Sequence, residues 1–207
     1  MNFDLLLAFC GATALLALSP GPDNMYVLMQ SLVHGVKDAF WTIIGLMSGC
    51  LVHTSLVAFG VSALIKNNEH IFLGMKLLGV GYLLYLAYSV FKAPSEISLQ
   101  SSSGKKQPFS LLKQGFLMNV LNPKVTIFFL AFFPGFLFSD TMSTVVQFYT
   151  LGTLFILVSF LIFSCYAILA VPFSTVIRQS NVTRVMLKWM QIIVFFGIAM
   201  YLLFSTN

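Results

Sequence analysis

Apolar residues run through this chain in long stretches, and polar positions collect in the gaps between them. Six stretches stand out, near residues 5–33, 40–64, 70–91, 110–136, 144–171 and 186–205. Each reaches the roughly 20 residues that a helix needs to cross a bilayer. They are continuously apolar and too long for the alternating strands of a membrane barrel. The pattern therefore predicts an all-α polytopic membrane protein, with six transmembrane helices in a single domain over residues 1–207. Residues 92–109, KAPSEISLQSSSGKKQPF, mix Pro, Ser, Gly and charge and read as a flexible loop. They divide the chain into one repeat over about 1–91 and another over about 110–207. Three crossings in each half make the halves enter the membrane from opposite faces, which is the geometry of inverted repeats.

Of the 207 residues, 58% are hydrophobic and 8% charged. Soluble domains carry about 25% charged residues, so this chain cannot clothe a globule in solvated surface. The same shortage of charge excludes intrinsic disorder. Six crossings leave no room for a soluble catalytic domain, and the chain is not expected to be an enzyme. Eleven Lys and Arg give a net charge of +5. All but Lys76 and Lys124, which sit within runs, lie in short connections, so they signal topology in a lipid bilayer rather than nucleic-acid binding. Lys37, then Lys92, Lys105, Lys106 and Lys113, then Arg178, Arg184 and Lys188 fall on one side, against Lys66 alone on the other. Cytoplasmic loops carry such an excess, so the 92–109 loop is expected in the cytoplasm and both termini outside. Met1 to Asp4 lack the basic start of a secretory signal, and the first apolar run is read as retained. Cys10, Cys50 and Cys165 form no CxxC pair and read as small buried side chains. His34, His53 and His70 fall on three elements without metal-ligand spacing. There is no G-x-x-x-x-G-K-[ST] nucleotide loop. No metal and no cofactor are expected, and ATP-driven pumping is disfavoured.

Ser19-Pro20-Gly21-Pro22-Asp23-Asn24 interrupts the first run midway. Two prolines withdraw two backbone donors and clash with preceding carbonyls, and Gly21 permits unusual dihedrals, so helix one is expected to break here. Unpaired backbone at membrane depth is tolerated only against protein or a watery cavity, so the break should face the bundle interior. Asp23 is the only acid in the middle of any apolar run, where a charge costs about 2.5–3.5 kcal/mol on insertion scales. It can serve a substrate or proton, or cap the second half-helix together with Asn24. The fourth run carries Asn119 and then Leu121-Asn122-Pro123-Lys124, so helix four is expected to break too. Leu18-Ser19-Pro20 and Leu121-Asn122-Pro123 align at an offset of 103, which also pairs Gly49 with Gly152. Matching interruptions in two halves point to a transporter site. Half-helix N-termini attract carboxylates and half-helix C-termini attract ammonium groups; a zwitterion uses both. The breaks are expected to meet near the midplane. Asp23 would engage an α-ammonium group or a proton, and Lys124 with free N–H groups the α-carboxylate. Lys124 can instead snorkel toward the cytoplasmic end.

At these residues the chain resembles the LysE/RhtB family of bacterial amino-acid exporters. The Ser-Pro-Gly-Pro stretch at 19–22, with Asp23 and Asn24, is similar to that family's N-terminal motif. Gly115-Phe116, Asn119 and Asn122-Pro123-Lys124 resemble its G-F-x-x-N-x-x-N-P-K pattern. Lys76-Leu77-Leu78-Gly79-Val80-Gly81-Tyr82-Leu83 resembles its K-x-x-G-x-x-Y-L segment, and Gly45 and Gly49 also fit. The likeness covers essentially the whole chain. It implies amino-acid efflux across the inner membrane, coupled to the proton gradient as an antiport, with periplasmic termini. Members differ in substrate, from basic amino acids to threonine, homoserine, leucine or cysteine derivatives. No second cavity acid is evident in the sequence, so a neutral amino acid such as threonine, homoserine or leucine is favoured.

Other positions keep two readings. Lys76 can snorkel or pair with Asp23; His53 can relay protons or bond a neighbouring helix. Gly45-x-x-x-Gly49 can pack within the chain or build a homodimer. Tyr85 and Tyr88 can line a cavity or sit at the membrane interface, and Tyr166 and Gln191 are weaker cavity candidates. The 22 Phe residues read as lipid-facing surface. Two other functions compete with export: a membrane thiol-redox protein, which needs a dedicated cysteine pair, and a noncatalytic assembly factor, which needs no acid at mid-membrane.

Overall fold

The computed structural model describes residues 2–19, 21–61, 69–92, 107–172 and 181–204. Pro20, Lys66, residues 93–106 of the predicted loop and Arg178 lie outside the described residues, as do the side chains of His70, Lys76, Arg184 and Gln191. Helices account for the described architecture, and no strand occurs among the described residues. In chain order they are α1 (Phe3–Leu18), α2 (Pro22–His34), α3 (Val36–Leu56), α4 (Glu69–Lys92), α5 (Pro108–Val120), α6 (Pro123–Ile127), α7 (Thr144–Ile168) and α8 (Asn181–Phe204). A π-helical turn, Val57–Val61, extends α3. A π-turn, Phe128–Phe132, and a 3-10 turn, Phe133–Phe136, extend α6.

Both expected breaks are present. The α1–α2 pair bends by 60° and the α5–α6 pair by 51°. Val36–Gly60 and Thr144–Ile168 are each long and apolar enough to cross a membrane, and each bent pair counted as one span brings the number to four. Pro22 and Pro123 open α2 and α6 at their first helical position, where the missing N–H costs nothing. The prolines that match in structure are therefore 101 residues apart, not the 103 of the sequence alignment. Gly21 differs from expectation too. Its φ of −160° is extended backbone that any residue adopts, because Pro22 resumes the helix without a left-handed turn. The positive φ falls instead at Gly35, at 95°, which reverses the chain between α2 and α3.

Glycines set the closest approach. A Cβ on Gly45 would collide with the Leu112 carbonyl of α5, and one on Gly115 with the Thr42 carbonyl of α3. Gly49 faces the Asn119 side chain, and Gly152 of α7 faces Thr54 of α3. Gly45 and Gly49 thus serve packing within the chain. In addition α7 packs on α1, α2 and α3, and α4 packs on α8. The phenylalanines depart from the lipid-facing reading. Phe9, Phe128, Phe129, Phe132, Phe133 and Phe136 are among the largest fully buried side chains, with ring centroids down to 4.1 Å apart for Phe129–Phe133. Composition carries no information about which face of a helix a ring occupies, and the π and 3-10 turns direct this run inward.

Candidate functional site

An interrupted helix leaves its last carbonyls without partners, and at membrane depth water does not supply them. At the end of α1 they are met one by one. Ser19 N–H donates to Leu15 O at 3.0 Å. Lys124 Nζ donates to Leu16 O and Ser19 O, both at 3.1 Å. Asn24 Nδ2 donates to Ala17 O, and the Tyr166 hydroxyl donates to Leu18 O at 2.8 Å. Cations and donors belong at this negative helix end. Lys124 is therefore turned into the break rather than out along the lipid, and its Nζ also lies 5.4 Å from the Phe195 ring centroid.

The second half-helices start beside it. Asn122 caps α6, its Oδ1 accepting from Lys124 N–H at 3.0 Å. Its Nδ2 donates to Asp23 Oδ2, in the first turn of α2, at 2.8 Å. This bond joins the two breaks directly. Asp23 is 5% exposed and Asn24 3%, so the carboxylate is buried against an amide and a helix N-terminus. Behind them Asn119 ties α5 to α3. Its carbonyl lies 3.2 Å from His53 Nε2; since a carbonyl only accepts, that nitrogen carries the proton. Its Oδ1 accepts from Cys50 Sγ at 3.7 Å. A cavity of about 30 Å³ lies among these groups, with Met47, Phe155 and Ser159 also on its wall. That is room for about one water.

Ser19, Gly21, Asp23, Asn24, Asn119, Asn122 and Lys124 thus meet around the breaks, with Pro22 and Pro123 opening the half-helices and His53 one contact away. Pro20 and the Lys76 side chain lie outside the described residues. Tyr85 and Tyr88 are exposed and do not reach the cavity, whereas Tyr166 holds the α1 end. Cys50 and Ser159 were not singled out for the site by sequence; a small polar residue in an apolar run carries no signal of its partners. Cys10, Cys50 and Cys165 are free thiols.

A helical bundle with two spans interrupted at one buried, charged junction defines a class of multi-pass membrane protein built to pass a polar solute. The chain belongs to the LysE type translocator family, whose model matches residues 14–206. It is 30% identical to the homoserine/homoserine lactone efflux protein of Salmonella typhimurium (strain LT2), over 82% of each chain. It is 31% identical to the leucine efflux protein of Salmonella choleraesuis, over 73% of this chain and 70% of that one. An uncharacterized membrane protein of Vibrio cholerae is 27% identical over 91% of each chain. No solved structure matches the chain.

Proposed function

We propose that this protein is a secondary exporter of amino acids in the bacterial inner membrane, working as a proton-coupled antiporter on a neutral amino acid. The observation that carries the reading is the Asn122–Asp23 hydrogen bond, with Lys124 on the carbonyl end of α1 beside it. It brings one buried carboxylate, one buried ammonium, one negative helix end and two helix starts to a single point. A zwitterion complements all of these. Its carboxylate draws Lys124 from the Leu16 and Ser19 carbonyls, and its ammonium takes their place there and at Asp23. The exchange conserves charge, so a neutral amino acid enters without stranding a charge in low dielectric. A proton on Asp23 frees the same position for release. Because the cavity holds about 30 Å³, a substrate needs the two breaks to part, and that parting is the alternating step. Homoserine and leucine, named for two relatives, are the first substrates to try.

The same reading takes α4 and α8 as the remaining two of six spans, each 24 residues or about 36 Å long. Reciprocal packing supports two inverted repeats: α5 lies on α3 as α7 lies on α1 and α2, while α4–α8 and α3–α7 pair across the halves. Both termini then face the periplasm. The test is counterflow in proteoliposomes against a panel of neutral and basic amino acids, with and without a pH gradient. Exchange of homoserine, threonine or leucine, accelerated by the gradient, is expected. A protein that exchanges none of the panel is not an amino-acid exporter.

A further inference from the structure

A buried polar atom without a partner costs about 1–3 kcal/mol, so its position calls for a reason. Among the described residues eight buried side-chain atoms have no hydrogen-bond partner, and they are not scattered. Thr13 lies on the phenylalanine side of the break, and Ser19 and Ser159 lie at the break itself. The other five, Tyr26 OH, Gln30 Nε2, Asp38 Oδ2, Thr42 Oγ1 and Ser164 Oγ, all fall between the break and the α2–α3 turn at Gly35. By helical rise, Gln30 stands about 10 Å beyond Asp23, and Ser164 about 7 Å beyond Ser159.

These residues belong to one packed region. Val27, Ala39, Ile43, Phe163 and Ala167 share an apolar cluster, and Ser31 Oγ donates to Ala167 O at 2.6 Å. The opposite side of the break is apolar, with a cavity of about 810 Å³ between α1 and α8 that Phe132 and Phe136 help to line. There Gln147 accepts from Phe138 and Ser139 N–H and donates to Ser139 and Met142 carbonyls, and the phenylalanine cluster presents no polar group. Gln30 is 4% exposed and Asp38 7%. Protein groups leave one carboxylate oxygen and several donors to be satisfied by water or solute.

We propose that α2, α3 and α7 enclose the aqueous route from the α2–α3 turn to the Asp23 junction, and that Gln30 and Asp38 are its entry station for a zwitterionic amino acid. Asp38 Oδ2 accepts from the solute's ammonium group, and Gln30 Nε2 donates to its carboxylate. The station rests on the exporter reading; the route does not. The full-length protein with Cys10→Ala, Cys50→Ala and Cys165→Ala takes Gln30→Cys, Ser164→Cys or Phe133→Cys and is exposed to a membrane-impermeant methanethiosulfonate in proteoliposomes. Cysteines at 30 and 164 are expected to react, at least threefold slower with L-homoserine present, and a cysteine at 133 to stay unreactive. No reaction at 30 or 164 overturns the route. In transport, Asp38→Asn and Gln30→Leu are expected to raise KM for L-homoserine at least tenfold with kcat within twofold, and Asp38→Glu to restore it. An unchanged KM in both variants, with an active unsubstituted protein, overturns the station. Reactive cysteines in a protein that carries no amino acid leave the route standing and overturn both the station and the exporter reading.

Discussion

Lys124 and Asp23 act on the same junction through different physics, and their substitutions separate the two. Lys124→Met keeps the stem that packs along the break but removes the donors to Leu16 O and Ser19 O. Leu16 O retains Ser19 N–H at 3.3 Å, so the Ser19 carbonyl bears most of the loss. An unsatisfied buried carbonyl costs about 1–3 kcal/mol, and stability in detergent is expected to drop by about 2 kcal/mol on thermal or denaturant unfolding. Asp23→Asn differs. Its side-chain oxygen still accepts from Asn122 Nδ2, so stability should stay within about 1 kcal/mol of the parent. The charge is gone, however, and with it the proposed acceptor for a substrate ammonium or a proton. Counterflow is expected to fall at least about a hundredfold, the equivalent of about 2.7 kcal/mol of lost interaction. Parental flux in Asp23→Asn removes the acid from the mechanism.

Helix packing offers a prediction with opposite signs at two glycines. Gly115→Ala places a Cβ against the Thr42 carbonyl of α3, where backbone must yield; overpacking of this kind costs about 1–3 kcal/mol. Gly11→Ala meets nothing within 4 Å, and in mid-helix Ala is favoured over Gly by roughly 1 kcal/mol. Unfolding midpoints in the same detergent should therefore move down for Gly115→Ala and up for Gly11→Ala. A Gly115→Ala protein as stable as its parent contradicts the close α3–α5 approach. At this scale the sequence was informative about breaks and poor about faces. Proline at the first position of a half-helix is a local signal, and Pro22 and Pro123 marked both bends. The six run lengths placed most ends to within three residues, but α3 begins at Val36 rather than near 40, because Gly35 makes the turn, and α8 at Asn181 rather than near 186. The ends on which Lys124, Asn24 and Tyr166 act lie up to 148 residues away in sequence, and no periodicity reports such partners. The buried phenylalanines were invisible for the same reason: every face of an apolar run looks alike in sequence, whether it meets lipid or core.

For the whole molecule, orientation decides which way the junction opens. The polar, unpartnered side of the break leads to the α2–α3 turn, and Lys37 lies just beyond that turn. By sequence, the connections and adjoining helix ends assigned to that side hold eight of the eleven basic residues, against Lys66 opposite. Cytoplasmic loops carry the excess of Lys and Arg, so this bias predicts one orientation. The turn, the 92–109 loop and the connection between α7 and α8 should therefore face the cytoplasm, and the phenylalanine-filled side the periplasm. On the proposed export reading, substrate would enter from the cytoplasm along α2, α3 and α7 and meet the aromatic cluster last. In a Cys10→Ala/Cys165→Ala background, Ser102→Cys is expected to react with an impermeant maleimide only from the cytoplasmic side. Thr141→Cys, in the turn before α7, should react only from the periplasmic side. The reverse pattern would turn the unpartnered polar route toward the outside, where it would serve uptake, and would leave export without an entry.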